Sequence, residues 1–358
     1  MTIKKFIGIF APYPRVEHLT DGWYRRIHII DSILDGIPRI YINTIHQANI
    51  KYPVITHNNN VKEIFLDPTV GIQSEEIRNL LADVCLSYVH TTHIGEDFMK
   101  LKIQTPFIID FHGVAPEEEL AEGNLKKAER LESVERFLYS NSMKKVYVSP
   151  GMQTHFELKY GRADDYLELP IISEIRLDKL SFQNTLETPK EDSYVYSGGL
   201  QSWQNIPEMM QVVERLEKSF TIATNQTSEF GKVLKENLKS FCTVGKYEKQ
   251  NLLELYVKSS FGYVIRDDTT VNQVAFPTKL FEYLACGVIP IVKFSDLGGL
   301  SRFGMFSISV GEIADHKYSV NELTQHRLNN YKISENVINR FLVNAASLRR
   351  FVNQELFR

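Results

Sequence analysis

A lysine in the first turn of a helix opposes the helix dipole, and the segment Phe276–Gly287 has one. It reads Phe-Pro-Thr-Lys-Leu-Phe-Glu-Tyr-Leu-Ala-Cys-Gly. Pro277 and Thr278 open a short helix and Gly287 ends it, the usual asymmetry of proline at a helix start and glycine just past its end. Lys279 then meets the positive end of the dipole. That local cost makes sense where an anion belongs, because free backbone N–H groups and an ammonium together bind phosphate. Glu282 lies one turn on, among Leu280, Phe281, Leu284 and Ala285. A carboxylate accepts two hydrogen bonds, which suits a ribose 2′,3′-diol. As single residues, Lys279 and Glu282 read as an i,i+3 surface pair. In their strand–loop–helix setting they read as part of a nucleotide site. Two further places share that setting. Gly198 and Gly199 follow the strand Tyr194–Ser197 and would let backbone approach a phosphate, or simply make a tight turn. Ser197 could donate to the same phosphate, and Trp203 either walls the site or packs. Asp110-Phe111-His112-Gly113 ends another strand, so His112 either is a structural histidine or projects from the carboxyl end of a sheet, where such folds bind ligands. Gly22, in the turn after the first strand, would admit an acceptor or a diphosphate close to the backbone.

Other chemistries fit poorly. No G-x-S-x-G elbow supports a serine hydrolase. Asp267-Asp268 only loosely resembles an Asp-x-Asp manganese site, so no metal and no cofactor is expected. Cys85, Cys242 and Cys286 are far apart and odd in number, giving neither zinc spacing nor a disulfide framework; a reduced, cytoplasmic setting suits them. The formal net charge of -3 argues against nucleic acid as a partner. No stretch approaches the ~18 apolar residues of a membrane span, and the opening MTIKKFIGIFAPYP reads as a first strand rather than a signal.

The elements that must position these residues alternate. Apolar runs at Phe6–Phe10, Arg39–Ile42, Ile64–Leu66, Val84–Val89, Phe107–Phe111 and Lys145–Val148 read as strands. Helix patterns lie between several of them. Asp21 can cap a helix with Ile27, Ile30 and Leu34 on one face, and Ser74 can cap another. The polar stretch Ser181–Glu191, with Pro189, reads as a linker. Alternation then resumes with strands at Tyr194–Ser197, Phe220–Thr224, Phe241–Val244, Phe261–Ile265, Val288–Val292 and Phe306–Val310. An amphipathic helix over Ser334–Arg358 closes the chain. At 358 residues there is room for two domains. The expected class is α/β: two Rossmann-like doubly wound domains, 1–180 and 192–335, facing a cleft, with 336–358 crossing back to the first.

The motifs resemble a known family. PTKLFEYLACGVIPIV is similar to the donor-site signature of family 4 retaining glycosyltransferases, which have the GT-B fold. YSGGLQSWQNIPEMM resembles the opening of their C-terminal domain. FHGVAPEEEL, VYVSPGMQTHFELKYG and DGWYRRIHII resemble N-terminal segments, and the variant looks most like bacterial enzymes building surface polysaccharides. The resemblance implies transfer of a sugar from a nucleotide-sugar, with retention and without a metal, to a glycan or lipid-linked glycan. Glu282 matches the second Glu of a Glu-x7-Glu motif that binds the ribose; Val274 replaces the first. Gly199 and Gln204 stand where the family often has an Arg and a Lys on the diphosphate. Lys279 and Arg266 are left to hold it, with Asp267, Asp268 or Asn272 substituting at the donor sugar. Pro277, Thr278, Ser197, Gly198 and Gly199 complete the donor side; His112, Arg266 and Lys279 are the candidate catalytic groups; Gly22 and Gly113 lie on the acceptor side. Such a protein would meet a lipid-linked acceptor peripherally, at the inner face of a membrane, with Lys4, Lys5, Arg15, Arg25 and Arg26 as candidate contacts. Two rival readings are a non-catalytic partner subunit, suggested by Val274, Gly199 and Gln204, and a GT-B nucleotide-sugar 2-epimerase.

Overall fold

The computed structural model describes residues 5–19, 21–46, 54–69, 75–187, 191–315 and 318–357. Lys4, Ser74 and Pro189 lie outside the described residues. The chain divides into two compact units, Met1–Ile171 with Arg340–Arg358, and Ile172–Asn339.

The first unit holds eight strands: β1 (Phe6–Phe10), β2 (Arg39–Thr44), β3 (Val54–Asn58), β4 (Val61–Leu66), β5 (Val84–His90), β6 (Phe107–Phe111), β7 (Lys144–Tyr147) and β8 (Tyr166–Glu168). Their order is β3-β4-β2-β1-β5-β6-β7-β8. Only β3 runs antiparallel, against β4. β1 and β6 are buried along their whole length, which is why they read as unbroken apolar runs. Asp21 caps the helix Gly22–Ile33 through the Trp23 amide, and Ile27, Ile30 and Leu34 are buried as their spacing predicts. The core also takes in Leu348, Val352 and Leu356 from the last helix.

The second unit holds β9 (Glu191–Ser197), β10 (Phe220–Ala223), β11 (Cys242–Gly245), β12 (Ser259–Val264), β13 (Ile289–Val292) and β14 (Ile308–Ser309). These are ordered β11-β10-β9-β12-β13-β14, all parallel. The linker expected over Ser181–Glu191 is corrected: Lys179–Glu187 is a helix of this unit. Its polarity hides one anchor, since Phe182 is fully buried and stacks on Tyr331 with ring centroids 3.8 Å apart. Asp178 caps it through the Ser181 amide. The last helix starts at Val320, earlier than expected, and runs 38 residues to Phe357.

Strand order reverses between β1 and β5 in the first unit and between β9 and β12 in the second. Beyond the carboxyl ends of strands at such a reversal, open α/β sheets bind ligands. The candidate residues fall at these two points.

Candidate functional site

In the second unit β9 delivers Ser197, Gly198 and Gly199, and β12 delivers Arg266. The loop beyond β12 passes through a short helix, Thr270–Val274, into the helix Thr278–Ala285, with Pro277 at its N-cap position. Lys279 stands in the first turn. Its ammonium donates to Gln204 Oε1 at 2.8 Å and lies 4.1 Å from the centre of the Tyr196 ring. Gly198 makes room for it: a β-carbon there would stand 3.0 Å from both the ammonium and the Tyr196 hydroxyl, and the backbone has φ +144°. Tyr196 in turn holds the glycine loop, donating to the Gly199 carbonyl at 2.6 Å. The space beside Gly199 is filled by the side chains of Gln201 and Gln226.

Two cations share this place. Burial, then the charge of Arg266, holds Lys279 well below the ordinary lysine range, with Glu282 opposing. Burial also lowers Arg266, and its Nε is buried with no hydrogen-bond partner. Neither cation has a carboxylate within salt-bridge distance among the described residues. Such an arrangement is unfavourable as it stands and favourable around an anion.

Glu282 sits deeper than its sequence reading implied, 7% exposed. Oε1 accepts from Ser173 at 2.7 Å and Oε2 is bonded to the Tyr256 hydroxyl at 3.0 Å. Tyr256 is also bonded to Ser197 Oγ at 2.6 Å, and the Ser197 amide reaches the Tyr283 hydroxyl at 3.3 Å. Both carboxylate oxygens are thus engaged within the fold. Asn272 is buried and its amide nitrogen closes the loop onto the Asp267 carbonyl. Asp267 pairs with Lys293 at 2.6 Å and Asp268 accepts from Gln273 at 2.7 Å; both are exposed. Val274 is buried. Trp203 is 53% exposed and so is not a core residue.

In the first unit the cluster centres on Asp110, which β6 sets opposite His90 of β5. Arg26, fully buried, grips Asp110 with Nε at 3.0 Å and Nη2 at 2.8 Å and donates to the Leu169 carbonyl. The Tyr88 hydroxyl adds a bond at 2.9 Å. Burial opposes ionisation of Asp110, but Arg26 and then His112 hold its carboxyl far below the usual range. His112 follows β6, its Nε2 lying 2.9 Å from His90 Nδ1 and 3.4 Å from Asp110. Burial pushes both imidazoles toward the neutral form. His90, Asp110 and His112 are the set found with ligand atoms within 4.8 Å of one another among the described residues. The guanidinium across both oxygens of Asp110 opposes a divalent cation there.

This geometry corrects one reading. Arg26 is no surface charge for a membrane; Lys5, Arg15 and Arg25 are exposed, Arg15 with Glu63 3.6 Å away. The space at Gly113 is filled by the Glu118 carboxylate, which accepts from the Val114 amide. Gly22 is open, with nothing within 4 Å of a β-carbon built there. Sequence reading missed Tyr196, Tyr256, Ser173, His90 and Tyr88. Tyr88 and His90 could have been found by their polarity inside a buried strand. Ser173 carries no local signal. Among the described residues, no helix is long and apolar enough to cross a membrane.

No protein-family model and no curated protein matches the chain. Solved structures do. Sucrose-phosphate synthase (tll1590) from Thermosynechococcus elongatus is 15% identical over 99% of both chains, with TM-score 0.62. Anabaena Alr3699/HepE, solved with UDP, is 12% identical over 98% of this chain and 99% of its own, with TM-score 0.61. An alpha,alpha-trehalose-phosphate synthase (UDP-forming) from Burkholderia xenovorans, solved with glucose-6-phosphate, is 10% identical over 99% and 100%, with TM-score 0.57. Two parallel-sheet α/β units and these likenesses together define the GT-B fold.

Proposed function

We propose that this chain is a glycosyltransferase that binds a nucleotide-sugar through its second unit and passes the sugar to a glycan or lipid-linked acceptor. The observation that carries the reading is the pair Arg266 and Lys279, two cations without a carboxylate partner at a strand-order reversal. A diphosphate supplies the missing charge. As the glycosidic bond breaks, negative charge grows on the leaving diphosphate, and fixed cations there stabilise the transition state. Lys279 and Arg266 act on that charge, with Pro277 and Thr278 opening the helix beside it. Gly198, Gly199 and Ser197 line the backbone approach. Glu282 meets the ribose from inside the fold, and Asn272 shapes the loop. His112 contacts the transferred group or the acceptor. UDP accompanies some of the similar structures, which supports a uridine nucleotide as the first probe. Retention of configuration, a role in bacterial polysaccharide synthesis and peripheral membrane contact rest on the sequence resemblance. A non-catalytic subunit would use the same anion site without turnover.

Calorimetric titration with UDP, GDP and ADP, followed by turnover of the matching sugar nucleotides with and without chelator, tests this. One nucleotide should bind, and Lys279→Met should weaken that binding by about 1.5–3 kcal/mol for each charged hydrogen bond lost. Because Arg266 and Lys279 supply the charge, turnover should persist in EDTA. Failure of all three nucleotides to bind would sink the reading. Loss of turnover in EDTA, restored by manganese, would assign the diphosphate charge to a metal instead. Binding with no turnover of any donor would favour the partner-subunit reading.

A further inference from the structure

We propose that Glu132 and Glu135 hold one proton between them near neutral pH, and that this proton locks together three helices of the first unit, Ala115–Ala121, Leu125–Asn141 and Pro150–Tyr160. The lock does not depend on the reading of the chain as a glycosyltransferase.

Three glutamates meet around one lysine. Lys159, from the third of these helices, lies 2.8 Å from Glu117 of the first and 2.6 and 2.8 Å from Glu132 and Glu135 of the second. An ammonium has three N–H groups, so these contacts use all of them. The neighbouring Tyr160 hydroxyl lies 3.0 Å from Glu132 Oε1 and 2.8 Å from Glu135 Oε1. It owns one hydrogen and can donate fully along only one of these contacts. The other sets a hydroxyl oxygen against a carboxyl oxygen at hydrogen-bond distance, which calls for a proton on the carboxyl. A single added proton satisfies every contact. With the proton on Glu132 Oε1, Glu132 donates to Tyr160, Tyr160 donates to Glu135, and the bonds of Lys159 are undisturbed. With the proton on Glu135 Oε1 the same chain runs the other way. The proton therefore belongs to the pair.

Burial and charge point the same way. Glu135 is 0% exposed, and its Oε2 is buried without a hydrogen-bond partner, a costly place for a full carboxylate charge. Besides Lys159 and Glu117, the pair faces Arg136, 3.5 Å from Glu132; His155 lies 3.2 Å from Glu117. With every glutamate ionised and His155 neutral, three negative charges face two positive ones. One proton removes the excess. Burial pushes the Glu135 carboxyl up to about 7, with Lys159 opposing. Burial also opposes ionisation of Glu117, but His155 and Lys159 hold its carboxyl down at about 2, so the proton is not there. The helix Ala115–Ala121 follows directly on His112 and Gly113, and its Glu118 accepts from the Val114 amide. Loss of the proton thus loosens the support of the His112 loop. The sign follows from the unfolded chain, where a glutamate titrates at about 4.3. Between that value and about 7 the folded protein holds a proton that the unfolded chain has released. Stability contributed by the proton falls as pH rises through this window and levels off above it.

The test uses the full chain with glutamate 13C-labelled at the side-chain carboxyl. An NMR titration of the wild-type protein should show a carboxyl that titrates near neutral pH, and Glu132→Gln should remove it. That variant supplies the proton permanently: its amide nitrogen donates to Tyr160 and its amide oxygen accepts from Lys159. Relative to Glu132→Gln, the wild-type folding constant from urea denaturation should fall with rising pH, by up to about tenfold per pH unit, the slope for one proton. Amides of the helix Ala115–Ala121 should lose hydrogen-exchange protection above neutral pH in the wild type and keep it in the variant. The absence of any glutamate titrating near neutral pH in the wild type overturns the shared proton, whether or not the variant folds. A neutral-range titration that survives in folded Glu132→Gln overturns its assignment to this pair. Equal pH dependence of stability and of helix protection in the two proteins overturns the lock.

Discussion

Each sheet sets a buried or half-buried arginine beside tyrosines at its strand-order reversal, and the two arginines have opposite company. Arg26 meets Asp110 through two nitrogens, with Tyr88 and a carbonyl completing the set. Arg266 meets Lys279, a second cation, and has a buried nitrogen left over. The first arrangement is closed: each charge there is answered within the fold, and removing a partner leaves a buried charge exposed to nothing. The second is open: its charges are answered only when something negative enters. On the proposed reading one arginine serves stability and the other binding, although each lies near the strand-order reversal of its own sheet.

The largest expected effect comes from breaking the closed set. Arg26→Met should cost about 3–5 kcal/mol of stability, the usual penalty for removing one partner of a buried ion pair. Arg266→Met should leave stability unchanged or raise it, because it relieves the repulsion on Lys279 and removes an unpaired buried nitrogen. The same substitution should weaken nucleoside diphosphate binding by about 1.5–3 kcal/mol for each charged hydrogen bond lost. Urea denaturation and calorimetry on both variants read the two quantities. If Arg266→Met destabilises the protein as much as Arg26→Met, the contrast between closed and open sets is wrong.

Glu282 sharpens the comparison, since it belongs to both kinds of set. Its oxygens are bonded within the fold to Ser173 and Tyr256, yet the proposed function gives it the ribose. Glu282→Ala should lose nucleotide affinity and also about 1–3 kcal/mol of stability, because two buried hydroxyls lose this acceptor. Glu282→Gln should recover most of the stability. Comparing the denaturation midpoints of the two variants with their nucleotide affinities separates the roles. Unchanged nucleotide affinity in folded Glu282→Ala would leave the residue a purely structural one.

What could be read from sequence differs between the two sites for a physical reason. The donor-side helix announces itself locally, because Pro277, Lys279, Glu282 and Gly287 lie within one short segment and violate or satisfy rules of helix ends. Most strands were legible as apolar runs, and the strands that escaped, β3 and β8, lie at the two edges of their sheet, where β3 is only half-buried and lacks an apolar run. The Arg26–Asp110–His90–His112 cluster is assembled from three separate stretches of chain. His112 was visible at the end of a strand, but Arg26 read as an exposed basic residue because nothing near it in sequence names its partner. The helix Lys179–Glu187 was hidden likewise, since a single phenylalanine, Phe182, ties an otherwise polar segment to the core.

The smallest effect is a proton. In the free protein burial and Arg266 hold the Lys279 ammonium well below its ordinary range. A bound diphosphate reverses the balance, since nearby negative charge favours the protonated amine. Lys279 thus has a lower pKa free than bound. Below the free value both states are protonated and binding takes up nothing. Above the bound value neither is. Between the two, binding draws in a proton, and affinity falls as pH rises through that window. The nucleotide must not contribute, so the measurement belongs above the second phosphate ionisation, at about pH 6. Calorimetric titration with UDP in two buffers of different ionisation enthalpy at one pH should show fractional proton uptake. Lys279→Met, studied at concentrations high enough to see any remaining binding, should show none. Asp110→Asn, which alters the closed set, should leave the uptake as it was. Uptake that persists without Lys279 would place the titrating group elsewhere, and Arg266 would then be the only open charge of the donor site.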